Sequence, residues 1–137
     1  MEPMTDKFKD ALVSLRRQLH EFPEVAHQEG DTSNRIADFL NHFEPDKLIR
    51  NLGGHGLAAL YEGKTEGPAV MIRCELDGLP IGEETTVSYR SRNAGKGHLC
   101  GHDGHMTMVA GLAPLLSASR PAKGRVILLF QPAEETS

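Results

Sequence analysis

Cysteine is scarce in this sequence, since only Cys74 and Cys100 occur among its 137 residues. Two cysteines cannot form the disulfide framework that stabilises small secreted domains. Long apolar runs are also lacking, and none approaches the ~18 residues that a membrane-spanning helix needs. The first seven residues contain no apolar stretch of the kind found in signal peptides. These absences predict a cytosolic (cytoplasmic) protein, with no membrane partner, whose thiols stay reduced.

The sequence has no excess of basic residues. Lys and Arg number 15 against 19 Asp and Glu, which gives a net charge of -4, and the only basic doublet, Arg16-Arg17, lies within an amphipathic helical pattern. Proteins that bind nucleic acids usually mass positive charge on one surface, so a nucleic-acid partner is not expected. No internal repeat or low-complexity segment is present. The length suits one domain with its own core.

Apolar residues at helical spacing predict two helices in the first third of the chain. The first covers residues 5–21, with Thr5 as its N-cap and Met4 as a hydrophobic staple against its first turn. The second is capped by Asp31 or Thr32. Both patterns end before a proline, which cannot continue a helix.

Runs of apolar residues predict four strands, at residues 47–52, 57–61, 69–76 and 124–130. A glycine-rich turn joins the first two in a hairpin. The third is almost continuously apolar, which is typical of a central strand covered on both faces. A further helix over residues 105–117, kinked or ended by Pro114, lies between the third strand and the fourth. This order of elements predicts an α/β fold with three layers: helix, sheet and helix.

A cluster of potential metal ligands ends the long loop over residues 77–104. Residues 98–105 combine Cys100 and His102 with two further histidines and an aspartate. In an extended loop the side chains of Cys100 and His102 point to the same side, and Gly101 between them lets the backbone approach an ion. An isolated pair of this kind is more often a buried cysteine beside a surface histidine. The density of ligands here favours a zinc-type metal site.

Three neighbours of this pair are predicted to support the site rather than to bind the ion. His98 and His105 could each be a ligand, a partner of a ligand or a helix-capping group, and the role of partner is preferred. Asp103 is placed to orient an imidazole or to accept from a backbone N–H. The four other histidines, at positions 20, 27, 42 and 55, are assigned no metal role.

Carboxylates follow two of the predicted strands. Glu134 and Glu135 come just after the fourth strand, and Asp77 comes just after the third. In open α/β sheets, sites form at the carboxyl ends of strands, so these side chains should meet the loop cluster at one edge. One glutamate can bind an ion while the other removes a proton from water. Asp77 is either a turn residue before Gly78 or a carboxylate that aligns a ligand.

Four motifs, in order along essentially the whole chain, carry a resemblance to a known family. They are RRQLHEFPE at residues 16–24, RCELDGLPI at 73–81, HLCGHDGH at 98–105 and FQPAEE at 130–135. The chain resembles the N-terminal part of the amidohydrolase branch of the aminoacylase and carboxypeptidase-type dinuclear metallohydrolases. This branch includes hippurate hydrolases, auxin-conjugate hydrolases and N-acyl-amino-acid deacylases.

The resemblance implies a role for each residue at a matching position. Cys100 is similar to the family's bridging thiolate and His102 to a terminal ligand, while Glu135 matches the carboxylate ligand. Glu134 matches the general base, and Asp77 matches the aspartate that supports the site. The complete enzyme would hold two divalent metal ions, which could be zinc, manganese, cobalt or nickel. It would hydrolyse the amide bond of an N-acyl amino acid or a similar small conjugate.

Family members are far longer than this chain, with further histidine ligands downstream and an inserted dimerisation domain. The expectation is therefore that residues 1–137 are the N-terminal portion of a catalytic domain, inactive alone, and that only the full-length protein forms homodimers. One alternative is a non-catalytic metal-binding or dimerisation module. Another is a cysteine enzyme that uses Cys100 with His102 or His105, although such chemistry does not explain the paired glutamates.

Overall fold

Residues 5–136, which the computed structural model describes, form four α-helices and one four-stranded β-sheet. The helices are α1 (Asp6–Glu21), α2 (Gly30–Asn41), α3 (His102–Ala110) and α4 (Leu112–Ala118). The strands are β1 (Lys47–Leu52), β2 (Gly56–Glu62), β3 (Thr65–Glu75) and β4 (Lys123–Gln131), and a short 3-10 helix, Glu134–Thr136, follows β4. The α/β class expected from the sequence is therefore confirmed.

The two N-terminal helices begin with different capping groups. The hydroxyl of Thr5 accepts a backbone N–H of the first turn of α1 at 3.1 Å, as expected for an N-cap, whereas Met4 lies outside the described residues. The predicted caps of α2, Asp31 and Thr32, lie instead inside its first turn. Their N–H groups are bound by the carboxylate of Glu24, at 3.4 and 2.5 Å. A carboxylate from the preceding segment thus replaces the local cap.

The helix after the long loop starts earlier than expected and is divided in two. α3 begins at His102 rather than His105, with Gly101 at its N-cap in a left-handed conformation. The first of the two helices ends before Gly111, about one turn earlier than the kink that was predicted at Pro114. Pro114 itself lies in the first turn of α4, where its missing N–H leaves no helical hydrogen bond unmade. Because α3 begins at His102, this residue belongs to the helix and not to the loop before it.

The sheet has the strand order β1-β2-β4-β3. β1 and β2 form the predicted antiparallel hairpin, and β4 pairs antiparallel with β2 and parallel with β3. The described residues do not place β3 at the centre of the sheet, as its apolar run predicts. Within residues 5–136 it lies at an edge, with Val70 and Met71 51% and 57% exposed. An apolar run indicates that side chains favour burial, but it does not identify the neighbours that bury them.

The helices pack on one face of the sheet. Their apolar side chains form a single core with alternate residues of the two inner strands, such as Leu57 and Ala59 of β2 and Leu128 and Phe130 of β4. The opposite face contributes no residue to this core: Ala58 and Leu60 of β2 are buried there, whereas Ile49 of β1 is 40% exposed. Of the three predicted layers, the described residues thus form two. None of the described helices is long and apolar enough to cross a membrane.

Candidate metal centre

Two strand ends place three carboxylates side by side. β3 and β4 are parallel, with Glu75 opposite Gln131, so the segments that follow them leave from the same edge of the sheet. Asp77 is fully buried there, and its two carboxylate oxygens accept the N–H groups of Glu134 at 3.1 Å and Glu135 at 2.9 Å. These two bonds fix the backbone from which both glutamate side chains project.

The loop cluster meets these carboxylates. One donor atom from each of Cys100, His102 and Glu135 lies within 4.8 Å of the other two, so the three residues predicted as ligands share one location. His102 is buried at the start of α3, while Cys100 and Glu135 are exposed. Gly101 allows this approach, since its φ of 89° is a conformation that side chains disfavour. The role of the three residues as metal ligands stays a prediction.

The imidazole of His102 is held in one tautomer. Its Nδ1 lies 2.7 Å from the backbone carbonyl oxygen of Asp77, and because a carbonyl only accepts, Nδ1 carries the proton. The other nitrogen, Nε2, faces the carboxylates of Glu135 at 3.5 Å, Glu134 at 3.8 Å and Glu75 at 4.0 Å. A lone pair on Nε2 would be repelled by these negative groups, so this nitrogen is placed to share a cation with them, either a proton or a metal ion.

The same carboxylates act on the thiol of Cys100. A hydrogen bond with Glu135 raises the pKa of this thiol, and slight desolvation of the sulfur and the negative charges of Glu135, Glu134 and Glu75 add to the effect. A thiolate at this position therefore needs a positive charge nearby, which a divalent ion beside His102 would supply. Thiolate, imidazole and carboxylate are a donor set that zinc-type ions select, so the residues fit the metal that the resemblance implies.

His105 and Glu75 form a pair at the rim of this cluster. His105, predicted as a partner of a ligand, is 46% exposed, and its Nδ1 lies 2.9 Å from Oε2 of Glu75. Sequence reasoning assigned no role to Glu75. A signal for it was present, because Glu75 precedes Asp77 by two residues in an extended segment, where side chains at that spacing point to one face.

Asp103 belongs to a buried polar network beside the cluster. Its carboxylate lies 2.8 Å from Nδ1 of His20 and 2.9 Å from Nε of Arg16, both in α1. The other ring nitrogen of His20 lies 3.0 Å from Glu83, in the loop that precedes α3. Asp103 thus orients an imidazole, but the imidazole comes from α1 and not from the loop cluster. The network ties α1, the loop and the first turn of α3 together.

Glu83 gives this network a dependence on pH. Burial alone would raise the pKa of its carboxyl group, but hydrogen bonds from Thr85, His20 and the N–H of Ser91 outweigh burial and lower that pKa from 4.5 to about 2. A carboxyl group with a lower pKa in the folded chain stabilises the fold above its unfolded pKa. That stabilisation is lost as the pH falls from 4.5 to about 2.

We therefore expect Glu83→Gln to lower the free energy of unfolding at neutral pH. The difference in this free energy between the variant and the unchanged chain should shrink as the pH falls below 4.5. Urea unfolding followed by circular dichroism at several pH values measures the difference. Glu84→Gln, at the exposed neighbouring position, removes the same charge and serves as the control. A deficit that is equal in both variants, or that does not change with pH, contradicts the role given to Glu83.

His98 is a buried histidine next to the cluster. Neither of its ring nitrogens has a hydrogen-bond partner among residues 5–136. Burial lowers the pKa of this imidazole to about 4, although the negative charge of Asp103 opposes the shift. The ring is therefore neutral at physiological pH, and its role as a partner of a ligand stays a prediction.

Sequence reasoning missed Glu29, which supports the turn that delivers the paired glutamates. Glu29 is fully buried at the N-cap of α2, and its carboxylate accepts the N–H of Ala133 at 2.7 Å. Ala133 has a φ of 53°, a left-handed conformation that a residue with a side chain adopts only when its surroundings hold it there. The hydrogen bond from Ala133 to Glu29 stabilises this conformation at the residue directly before Glu134. Nothing in the local sequence pattern of either segment indicates this contact.

Comparisons with known proteins point to one family of hydrolases. The model of Peptidase family M20/M25/M40 matches residues 71–137, which contain three of the four motifs described above. The N-acetylcysteine deacetylase of Bacillus subtilis (strain 168) is 40% identical over 134 residues, which are 96% of this chain and 35% of that protein. The N-acyl-L-amino acid amidohydrolase of Geobacillus stearothermophilus is 38% identical over 133 residues, which are 96% of this chain and 36% of that protein.

A solved structure gives the same answer. The YXEP protein of Bacillus subtilis, described as a dinuclear metal binding peptidase from the M20 family, matches with a TM-score of 0.89 at 38% identity. The match covers 96% of this chain and 37% of that one. The chain thus spans about a third of the length of the relatives it matches. On motifs, fold and sequence identity together, residues 71–137 match the model of Peptidase family M20/M25/M40, and the chain is similar to proteins of this kind along 96% of its length.

Proposed function

We propose that this chain forms the metal-binding part of an amidohydrolase that cleaves the amide bond of N-acyl amino acids or similar small conjugates. The observation that carries the proposal is Nε2 of His102, which faces three carboxylates and has the thiol of Cys100 close by. Two of the relatives support the substrate class, since one is named an N-acetylcysteine deacetylase and the other an N-acyl-L-amino acid amidohydrolase.

Three residues would hold a divalent ion, namely Cys100, His102 and Glu135. His102 would use Nε2, because its Nδ1 is bonded to the carbonyl of Asp77. When bound, the ion supplies a positive charge that polarises the acyl carbonyl of the substrate. The buried carboxylate of Asp77 keeps Glu135 in place through its backbone N–H, and it holds the neighbouring Glu134 in the same way.

Glu134 is the general base in this proposal. Its Oε2 lies 3.8 Å from Nε2 of His102 and its side chain is 34% exposed, so the carboxylate borders both the cluster and solvent. From there it can take a proton from the attacking water and pass it to the nitrogen of the departing amine. Glu135 lies closer to the same nitrogen, at 3.5 Å, which favours Glu135 as the ligand and Glu134 as the base.

The relatives are about three times as long as this chain, and parts of the activity are proposed to depend on that further length. We propose that residues 1–137 correspond to the N-terminal portion of the catalytic domain. A second ion, the pocket for the acyl group and the contacts of a homodimer would use other segments. The 137-residue chain alone should then bind one ion without measurable amidase activity. The native metal and a cytosolic location stay predictions.

Cobalt binding to the 137-residue chain tests the metal centre. Co²⁺ bound by a thiolate absorbs in the near ultraviolet through charge transfer from sulfur, whereas cobalt bound only by nitrogen and oxygen lacks this band. We expect about one equivalent of cobalt to bind with the thiolate band, and excess chelator to remove both. If the band is absent at saturating cobalt, the proposed centre is wrong.

A hybrid enzyme tests the activity. In this hybrid, residues 1–137 replace the matching third of the Bacillus subtilis N-acetylcysteine deacetylase, which supplies the remaining length. We expect hydrolysis of N-acetyl amino acids that a chelator abolishes and added metal restores. Activity that survives chelation but is lost on thiol alkylation would indicate a cysteine nucleophile. A hybrid that binds metal without turnover would indicate a non-catalytic module.

A further inference from the structure

Glu75 is an almost buried carboxylate in the candidate metal centre. It is the last residue of β3, and 12% of its side chain is exposed. A carboxylate with so little access to water needs hydrogen bonds or positive charge to compensate for its burial. Its Oε1 lies 3.5 Å from the guanidinium group of Arg73, and its Oε2 lies 2.9 Å from Nδ1 of His105.

The position of Oε2 also suits a shared ion. This atom lies 4.0 Å from Nε2 of His102, which is too far for a hydrogen bond. Zinc-type ions hold nitrogen and oxygen ligands at about 2.0–2.2 Å, so two ligands of one ion lie about 3.4 Å apart at a tetrahedral angle and up to about 4.2 Å apart at wider angles. The separation between Glu75 and His102 falls within this span. So does the distance of 3.5 Å between Nε2 and Glu135, which is predicted to be a ligand.

Two sets of donor atoms in this region share His102. One consists of Cys100, His102 and Glu135, and the other of Glu75, His102 and His105. Because Nδ1 of His102 is bonded to a carbonyl, only Nε2 is available to either set. A single nitrogen lone pair binds one ion at a time. The two sets therefore surround one ion and do not form two complete sites.

We propose that Glu75 is a further ligand of the ion bound by Cys100, His102 and Glu135, and that His105 fixes the Glu75 carboxylate for this role. The inference rests on the proposed function, which supplies the ion. A carboxylate oxygen has two lone pairs, so Oε2 can accept a hydrogen bond from His105 and bind the ion at the same time. The chain then provides four protein donors, and because a catalytic ion of this type can expand to five-coordinate, one position stays open for the substrate.

Cobalt titrations of the 137-residue chain test this proposal. We expect Glu75→Gln to weaken cobalt binding by about a hundredfold, because a direct ligand is lost, and His105→Ala to weaken it by about tenfold, because the ligand loses its orienting partner. The thiolate band should persist in both variants at saturating cobalt. Glu66→Gln removes the same charge from an exposed position of β3, and it should bind cobalt like the unchanged chain.

The outcomes separate this proposal from the proposed function. If the unchanged chain shows no thiolate band, the metal centre itself is wrong. If the band is present but Glu75→Gln binds cobalt as tightly as Glu66→Gln, Glu75 is only a hydrogen-bond partner of His105 and the proposal is overturned. Full affinity in Cys100→Ala would also overturn it, because the ion would then not be shared between the two donor sets.

A second variant covers the case in which Glu75→Gln does not fold, which far-ultraviolet circular dichroism detects. Glu75→Asp keeps the negative charge but withdraws the carboxylate from His102 by one methylene group. Direct ligation predicts weaker cobalt binding in this variant, by about tenfold. Unchanged binding would show that only the charge at this position matters, and it would overturn the proposal.

Discussion

Glu134→Gln should lower kcat of the hybrid enzyme by about 10²–10⁴-fold while its metal content stays unchanged. The amide has nearly the size and shape of the carboxylate, but it cannot accept a proton from water. The backbone N–H of Glu134 remains free to bond with Asp77, because that bond does not involve the side chain that is replaced. The substitution thus removes proton transfer and leaves the backbone of the site in place.

The adjacent residue provides the control for this prediction. Glu135→Gln changes the same functional group one position along the chain, and it should lose metal as well as activity, since Glu135 is proposed as a ligand. Steady-state kinetics and elemental analysis of both variants distinguish the two roles. Retained turnover in Glu134→Gln would dismiss its assignment as the base. Equal loss of metal in both variants would show that Glu134 is also a ligand.

Cys100→Ala should weaken the binding of a divalent ion to the 137-residue chain by at least about a hundredfold. The thiol is exposed, so its removal creates no cavity and should leave the free energy of unfolding nearly unchanged. What is lost is the sulfur donor next to His102, and with it the thiolate band of the cobalt form. Elemental analysis after dialysis against limiting zinc gives the occupancy.

The second cysteine provides a matched control. Cys74 is 1% exposed within β3, and burial raises the pKa of its thiol well above the usual value, so it is a poor source of thiolate. Cys74→Ala should bind zinc like the unchanged chain, although it should unfold more easily because a core side chain is truncated. Full occupancy in Cys100→Ala, or loss of zinc in Cys74→Ala alone, would contradict the assignment.

Sequence patterns predicted the features that short segments determine. β1 has the predicted bounds, Lys47–Leu52, and the glycine-rich turn after it forms the expected hairpin. Cys100 and His102 are brought near Glu135 because each lies directly at a strand end or a helix start, where topology sets the direction of the chain. Residue type and position in the fold were therefore enough to predict that these three side chains lie together.

The features that were missed depend on residues far apart in the sequence. The carboxylate of Glu29 supports Ala133, 104 positions further along, and His20 meets Asp103 across 83 positions. The edge position of β3 likewise depends on a strand that comes later in the chain. The spacing of apolar residues and the residue types indicate which secondary structure a segment prefers. Contacts between distant segments are determined by tertiary packing.

β4 lies between β2 and β3, although it follows both in the chain. Within residues 5–136, β3 therefore has no strand to pair with until residues 123–131 have been synthesised. The N–H groups of Glu134 and Glu135, which donate to the carboxylate of Asp77, are likewise synthesised after β3. Contacts over such sequence separations form late, because the intervening polypeptide must first be brought together. In the proposed metal centre, Cys100 and His102 would therefore be synthesised before their carboxylate partner, and a nascent polypeptide halted before Glu134 would lack the ligand Glu135.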